Sequence, residues 1–187
     1  MRVVVGISGA SGAPYAMRLL EVLGGQELRA RVQVSLVLSS TAEQVLVQEC
    51  GRSVRELGFP VFEGRDYNAP FASGSSAPDA MVIIPASMSS VAKVAHGISD
   101  NLLTRAADVV IKEKKKLIMV PRETPLSEIH LTNLLALARL GVTVMPASPS
   151  FYGKPQSIAQ LLDTVVGRVC DQLGLPHQLL RRWGTSP

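Results

Sequence analysis

Five short apolar runs, rich in β-branched residues, recur along the chain at 3–7, 32–38, 81–85, 117–121 and 142–146. They are nearly continuous rather than alternating, the pattern of parallel strands buried on both faces. Amphipathic stretches of helical period separate them, at 14–23, 41–50, 91–96, 101–114, 127–140 and 157–173. Pro14 stands where a first helical turn tolerates proline, and Gly141 and Gly174 stand where helices close on a left-handed residue. Strand followed by helix, repeated in this way, predicts an α/β fold: a doubly wound parallel sheet with helices on both faces and right-handed crossovers. Residues 59–78 break the rhythm with Gly64, Asn68, Pro70, Gly74 and Pro78. A connection this long is predicted to be a functional or interface loop. Residues 183–187 are predicted to fray.

A length of 187 residues suits one domain spanning 1–187. At 47% hydrophobic and 18% charged residues, the chain is not disordered. Its mean hydropathy of +0.24 points to a sheet covered on both sides or to an extensive subunit interface. No apolar run reaches membrane-spanning length, and the first apolar run breaks at Gly6, too early for a secretory signal core. Cys50 and Cys170 lie in predicted helices without metal-ligand spacing. They are expected to be small buried hydrophobes in a reducing cytoplasm. The net charge is +4, which leaves nucleic acid, anionic surfaces and small anionic substrates open. Only 4% of residues are aromatic, too few for a single-strand stacking platform. The basic run 112–116 reads as a helix end, where cations suit the dipole.

Open α/β sheets bind ligands beyond the carboxyl ends of their strands, so the segments following each run carry the candidate chemistry. These are Ser8-Gly9-Ala10-Ser11-Gly12, Ser39-Ser40, Ala86-Ser87-Met88-Ser89-Ser90, Arg122-Glu123-Thr124 and Ser148-Pro149-Ser150-Phe151-Tyr152. Glycines 6, 9 and 12 lack the dinucleotide spacing. They still precede a helix whose free N–H groups, with the Ser11 hydroxyl, suit a phosphate; a tight strand-to-helix turn accounts for the same residues. Ser87 is a predicted N-cap, and with Ser89 and Ser90 it offers a second anion or hydroxyl site. Arg122 is a candidate anion clamp and Glu123 a candidate general acid or base, ahead of Thr124 as a predicted N-cap with Pro125 at the first helical position. Arg105, Asp108 and Lys112 share one helical face; a solvated Asp108–Lys112 ion pair is the alternative to a functional cluster. His96, His130 and His177 have no partner at metal spacing and read as core or surface residues.

The motifs GISGASGAPYA at 6–16, ASGSSAPDAMVIIPASMSSVAKVAHGISDNLLTRAADV at 72–109, IKEKKKLIMVPRETPLSEIHLTNLLAL at 111–137, PSFYGKPQSI at 149–158 and VVGRVCDQLGLP at 165–176 occur in that order. In them the chain resembles the flavin prenyltransferases, the UbiX-type enzymes once called aromatic-acid decarboxylases, from about residue 2 to Trp183. The resemblance implies a single Rossmann-like, flavoprotein-type domain. It implies metal-independent transfer of a dimethylallyl group from dimethylallyl phosphate to N5 and C6 of reduced FMN. The prenylated FMN would serve a UbiD-type decarboxylase, as in ubiquinone biosynthesis. By motif match, Gly9, Ala10, Ser11, Ser39, Ser87, Met88, Ser89, Ser90 and Arg122 would bind FMN. Tyr152 and Arg168 would hold the prenyl phosphate. Ser11, Glu49, Lys112 and Glu123 match catalytic positions, and Arg105 a basic position nearby. Relatives assemble as trimers packed into dodecamers, with sites at subunit contacts.

Two positions depart from the family pattern. Tyr67 stands where many relatives have tryptophan, and its ring can still stack on a flavin or an allyl group. Ser89-Ser90 replaces a pair that often includes threonine with glycine or lysine. An FMN-dependent cysteine decarboxylase of the same fold is the alternative enzyme, but such enzymes carry a histidine after the first strand, where this chain has Ser11. A non-catalytic FMN carrier would leave Tyr152 and Arg168 without a prenyl phosphate to hold.

Overall fold

A computed structural model of the chain describes residues 1–180, 182 and 184. Of the segment predicted to fray, Trp183 and residues 185–187 lie outside the described residues. Strands β1 (Arg2–Ile7), β2 (Gln33–Leu38), β3 (Val61–Phe62), β4 (Ala80–Ala86), β5 (Lys116–Pro121) and β6 (Thr143–Val144) form one six-stranded sheet in the order β3-β2-β1-β4-β5-β6. Every pairing is parallel. The central strand, β1, aligns Val5 with Leu36 on one side and with Val82 on the other. Successive side chains of a strand point to opposite faces. Val3, Val5 and Ile7 therefore enter one core, and Val4 enters the other with Met81 and Met119. Helices α1 (Ala13–Leu23), α2 (Gln26–Arg29), α3 (Ala42–Cys50) and α7 (Ile158–Leu173) cover the first face; α4 (Met88–Ala95), α5 (Leu102–Lys112) and α6 (Glu128–Arg139) cover the second. The fold is the doubly wound, Rossmann-like sheet that the pattern predicts.

Several local expectations need correction. β3 lies inside the predicted loop 59–78. Two residues behind Pro60 are too few to show a period, and they join the sheet because Leu36 N–H donates to Pro60 O at 2.8 Å. The rest of that segment is docked. Phe71, 4% exposed, meets Phe62 edge to face with ring centres 5.1 Å apart. Helix α6 starts after Ser127, as the stretch 127–140 predicts, and Thr124 is not its N-cap: Ser127 Oγ accepts the His130 N–H and His130 Nδ1 accepts the Ser127 N–H, both at 3.3 Å. That reciprocal cap satisfies two end donors at once, so Pro125 is still in the loop. Cys170 is buried as expected, but Cys50 is only half-buried at the margin of the first core.

Most of α6 faces outward. Its Ile129 is 71% exposed, Leu131 53% and Leu135 50%, and beyond it Phe151 is 70% and Ile158 74% exposed. Among the described residues no helix is long and apolar enough to cross a membrane.

Gly167 lies inside α7, where glycine costs about 1 kcal/mol relative to alanine. Its reason is close packing: a Cβ there would stand 2.6 Å from Leu180 Cγ and 3.0 Å from His177 Cε1. The residues after α7 thus fold back across the helix at this point. Gly167→Ala is expected to lower the melting temperature despite its better helix propensity, since overpacking typically costs about 1–3 kcal/mol. Thermal denaturation followed by circular dichroism checks this.

Candidate active site

The carboxyl edge of the sheet is tied together by a residue that the sequence placed in the first loop without a role of its own. Ser8, 1% exposed, donates its hydroxyl to Pro85 O at 2.7 Å and accepts the Ser87 N–H at 2.7 Å. It thereby locks the loop after β1 to the loop after β4. A serine directly past a buried strand is the only signal the sequence carried. The loop after β2 joins them: Ser39 N–H donates to Ile7 O at 2.9 Å. A Cβ on Gly9 would stand 2.0 Å from Thr41 Oγ1, so only glycine fits this approach. From the loop after β5, Arg122 Nε donates to Ser11 O at 2.8 Å. Gly9, Ala10, Ser11, Ser39, Ser87 and Arg122 are therefore brought to one place.

The helix N-termini at this edge differ in what they offer. Ser87 caps α4 as predicted, taking the Ser90 N–H at 3.2 Å. Ser87 O takes the Val91 N–H at 2.9 Å. The N–H groups of Met88 and Ser89 remain, because a helix cannot satisfy its own first donors. Met88 and Ser90 are buried while Ser89 is exposed, so Met88 can offer a ligand its backbone but not its side chain. At α1 the N–H groups predicted to be free are occupied: Gly12 and Ala13 both donate to Glu49 Oε2 at 2.8 Å. Gly12 has φ 115° and no capping side chain of its own, so a carboxylate from α3 does the capping. Burial pushes the Glu49 carboxyl up, but the hydrogen bonds from Ser11, Gly12 and Ala13 and the nearby Arg122 charge outweigh it. The net effect holds Glu49 below its ordinary value.

Glu123 is exposed at the same edge, and its Oε1 accepts the Thr124 N–H at 3.0 Å. Tyr152 and Arg168 meet elsewhere. They line a cavity of about 790 Å³ with Thr164, Asp171, Leu180 and Arg182, in which Arg168 Nη1 bonds Asp171 Oδ2 at 2.8 Å. Asp171 was not among the predicted site residues. Burial pushes its carboxyl up, while bonds from His177 and Arg182 hold it below the ordinary range overall.

Lys112, Arg105 and Tyr67 join neither group. A crossover helix runs back from the carboxyl to the amino edge of a parallel sheet, so Lys112, at the end of α5, stands at the opposite edge. It pairs with Glu113 at 2.5 Å. Arg105 pairs with Asp108 at 3.1 Å and donates to Ala72 O at 3.1 Å. The Asp108–Lys112 pair, the alternative reading of this face, does not form: Asp108 is taken one turn earlier on the same face. Tyr67 is half exposed in the loop after β3.

A family model described as Flavoprotein matches residues 1–170. The flavin prenyltransferase UbiX of Methanocaldococcus jannaschii is 43% identical over 188 residues, covering 99% of this chain and all of that one.

The chain belongs to the flavin prenyltransferase family of flavoproteins.

Among solved structures, a dodecameric FMN-dependent UbiX-like decarboxylase from Escherichia coli O157:H7 superposes with a TM-score of 0.94 at 41% identity, covering 99% of this chain and all of that one. AnUbiX, solved in complex with FMN and dimethylallyl pyrophosphate, superposes with a TM-score of 0.92 at 39% identity, covering 100% of this chain and 98% of that one.

The Glu49 cap sets a pH dependence. A carboxyl depressed in the folded state contributes its full stabilisation above its unfolded value, about 4.3 for glutamate. That contribution falls away as the pH drops through the lower folded value. Glu49→Ala is therefore expected to melt below wild type at neutral pH, with the gap closing as the pH falls below about 4. Melting curves of both proteins across that range test it.

Proposed function

We propose that the protein is a flavin prenyltransferase, joining a dimethylallyl group from dimethylallyl phosphate to N5 and C6 of reduced FMN and releasing phosphate. The observation that carries this reading is the pair of anion-competent groups in a chain of this family: the loop cluster around Arg122 and the Tyr152–Arg168 cavity. The donor set of the first group fits FMN. It combines serine hydroxyls at 11, 39, 87 and 89, the open N–H groups that begin α4, and a guanidinium already fixed through its Nε. Bound there, reduced FMN supplies the nucleophilic ring nitrogen.

The chain's own residues then supply the electrostatics. Negative charge grows on the leaving phosphate as its C–O bond breaks, and the Arg168 fork, with the Tyr152 hydroxyl, is suited to receive it. Glu123 is the candidate proton acceptor when the second ring bond forms. Tyr67 offers an aromatic face to allylic cation character. Ser11 and Glu49 set the turn beside the flavin.

Within one chain Lys112, Arg105 and Tyr67 lie apart from these groups, and we place them in the site of a second copy. The exposed apolar face of α6 with Phe151 and Ile158 supports a homo-oligomer, as trimers within a dodecamer. The reading includes a one-domain chain and a UbiD-type decarboxylase as recipient of the product. A cytoplasmic setting is supported by the two free thiols, Cys50 and Cys170.

The test is anaerobic turnover with reduced FMN and, in separate arms, dimethylallyl monophosphate and pyrophosphate. No prenylated flavin in either arm overturns the reading. Arg168→Ala is expected to weaken the prenyl donor about ten- to a hundredfold, the cost of one charge-assisted contact, and to leave the FMN dissociation constant unchanged. Glu123→Gln is expected to bind FMN normally and to turn over about 10²–10⁴ times more slowly. Parallel titrations with each ligand and single-turnover rates distinguish these two roles.

A further inference from the structure

The cavity that holds Arg168 also contains a carboxylate, and a carboxylate opposes an incoming phosphate. Asp171 is nevertheless held there by three partners. Its side chain is 14% exposed, and its Oδ2 takes Arg168 Nη1 at 2.8 Å. Its Oδ1 takes Arg182 Nη1 at 2.7 Å and lies 3.0 Å from His177 Nε2. The His177 side chain is only 2% exposed, packed where Gly167 leaves room for it. Leu179 N–H donates to His177 Nδ1 at 3.2 Å. A backbone N–H can only donate, so the ring proton sits on Nε2 and points at Asp171.

An Arg–Asp pair one turn apart on an open helix face is weak and lets the long side chain wander. Here the carboxylate is anchored from behind by a buried ring. Arg168 spends one of its five donors on Asp171 and keeps the others for a ligand. Ordering the arginine beforehand removes part of the entropy that a ligand must otherwise overcome.

We propose that Asp171 and His177 are positioning residues for the prenyl donor: His177 anchors Asp171, and Asp171 holds the Arg168 guanidinium at the cavity wall where the phosphate enters. The proposal rests on the prenyl-donor reading of this cavity. It also gives the segment after α7 a function, since that segment carries the anchor.

The experiment measures KM for dimethylallyl phosphate, kcat, and the FMN dissociation constant by flavin fluorescence. Wild type is compared with His177→Phe, His177→Gln and Asp171→Asn. His177→Phe keeps a buried ring and removes the bond to Asp171 together with the one that Nδ1 accepts from the Leu179 N–H; it is expected to raise KM about tenfold with kcat and FMN affinity unchanged. His177→Gln, which can still donate, is expected to restore most of the loss. Asp171→Asn is the sharper arm. Removing a negative charge beside a phosphate site lowers KM if the charge alone matters, and raises it if positioning matters; a rise is expected. If His177→Phe does not fold, as judged by circular dichroism, Asp171→Asn decides alone. An unchanged or lowered KM in Asp171→Asn overturns the proposal, as does equal loss of FMN affinity and donor affinity. A wild type that turns over no prenyl donor overturns the donor reading itself, and so is distinct from a failure of the anchor.

Discussion

Ser8 lies at the end of the central strand, 1% exposed, where no water reaches its hydroxyl and both its donor and its acceptor capacity must be met inside the protein. The bonds to Pro85 O and from Ser87 N–H do so. An unmet buried hydroxyl costs about 1–3 kcal/mol, so the loops after β1 and β4 have little freedom to separate. The geometry of the flavin-side cluster descends from this tie. Ser87, whose N–H the Ser8 hydroxyl holds, caps α4 from that position. The loop after β5 follows, since Arg122 N–H donates to Ala86 O at 3.2 Å while its side chain reaches Ser11 O. Short edge strands, β3 and β6, leave the bonded centre of the sheet to carry the site and limit the open edge available for pairing.

Both candidate anion sites contain a carboxylate, and the two act alike. Glu49 takes the N–H groups that open α1, and Asp171 takes a guanidinium on α7. In each case the acid lies below its ordinary pKa because hydrogen bonds and positive charge outweigh burial. The consequence is preorganisation: the donors at each candidate site are held in place by a carboxylate of the chain itself. Glu49 also changes the meaning of the first glycine-rich loop. The phosphate cradle that its glycines resemble is partly filled by the protein's own acid.

The exposed apolar stripe of α6 and the outlying positions of Lys112, Arg105 and Tyr67 belong together. A helix that buries Asn133 and Leu137 but presents Ile129, Leu131 and Leu135 outward is packed on one side only. Lys112, which the family pattern places in the active site, stands at the amino edge of the sheet, away from the loop cluster at the carboxyl edge.

The sequence by itself determined the sheet and the helices. Continuous β-branched runs and helical periods are local signals, and hydrophobic burial acts on each of them independently of what the chain does elsewhere. It also carried the loops that gather at one edge, because strand ends in a parallel sheet must face one edge, and its motifs carried the family. Only the tertiary structure decided what those loops do to one another. That Ser8 bridges two loops, that Glu49 occupies the α1 donors, that Asp108 chooses Arg105 over Lys112, and that His177 anchors Asp171 are matters of distance between residues far apart in sequence or equally spaced along a helix. β3 was hidden for the same reason: two residues have no period, and a neighbouring strand's unpaired N–H groups, not their own pattern, made them a strand.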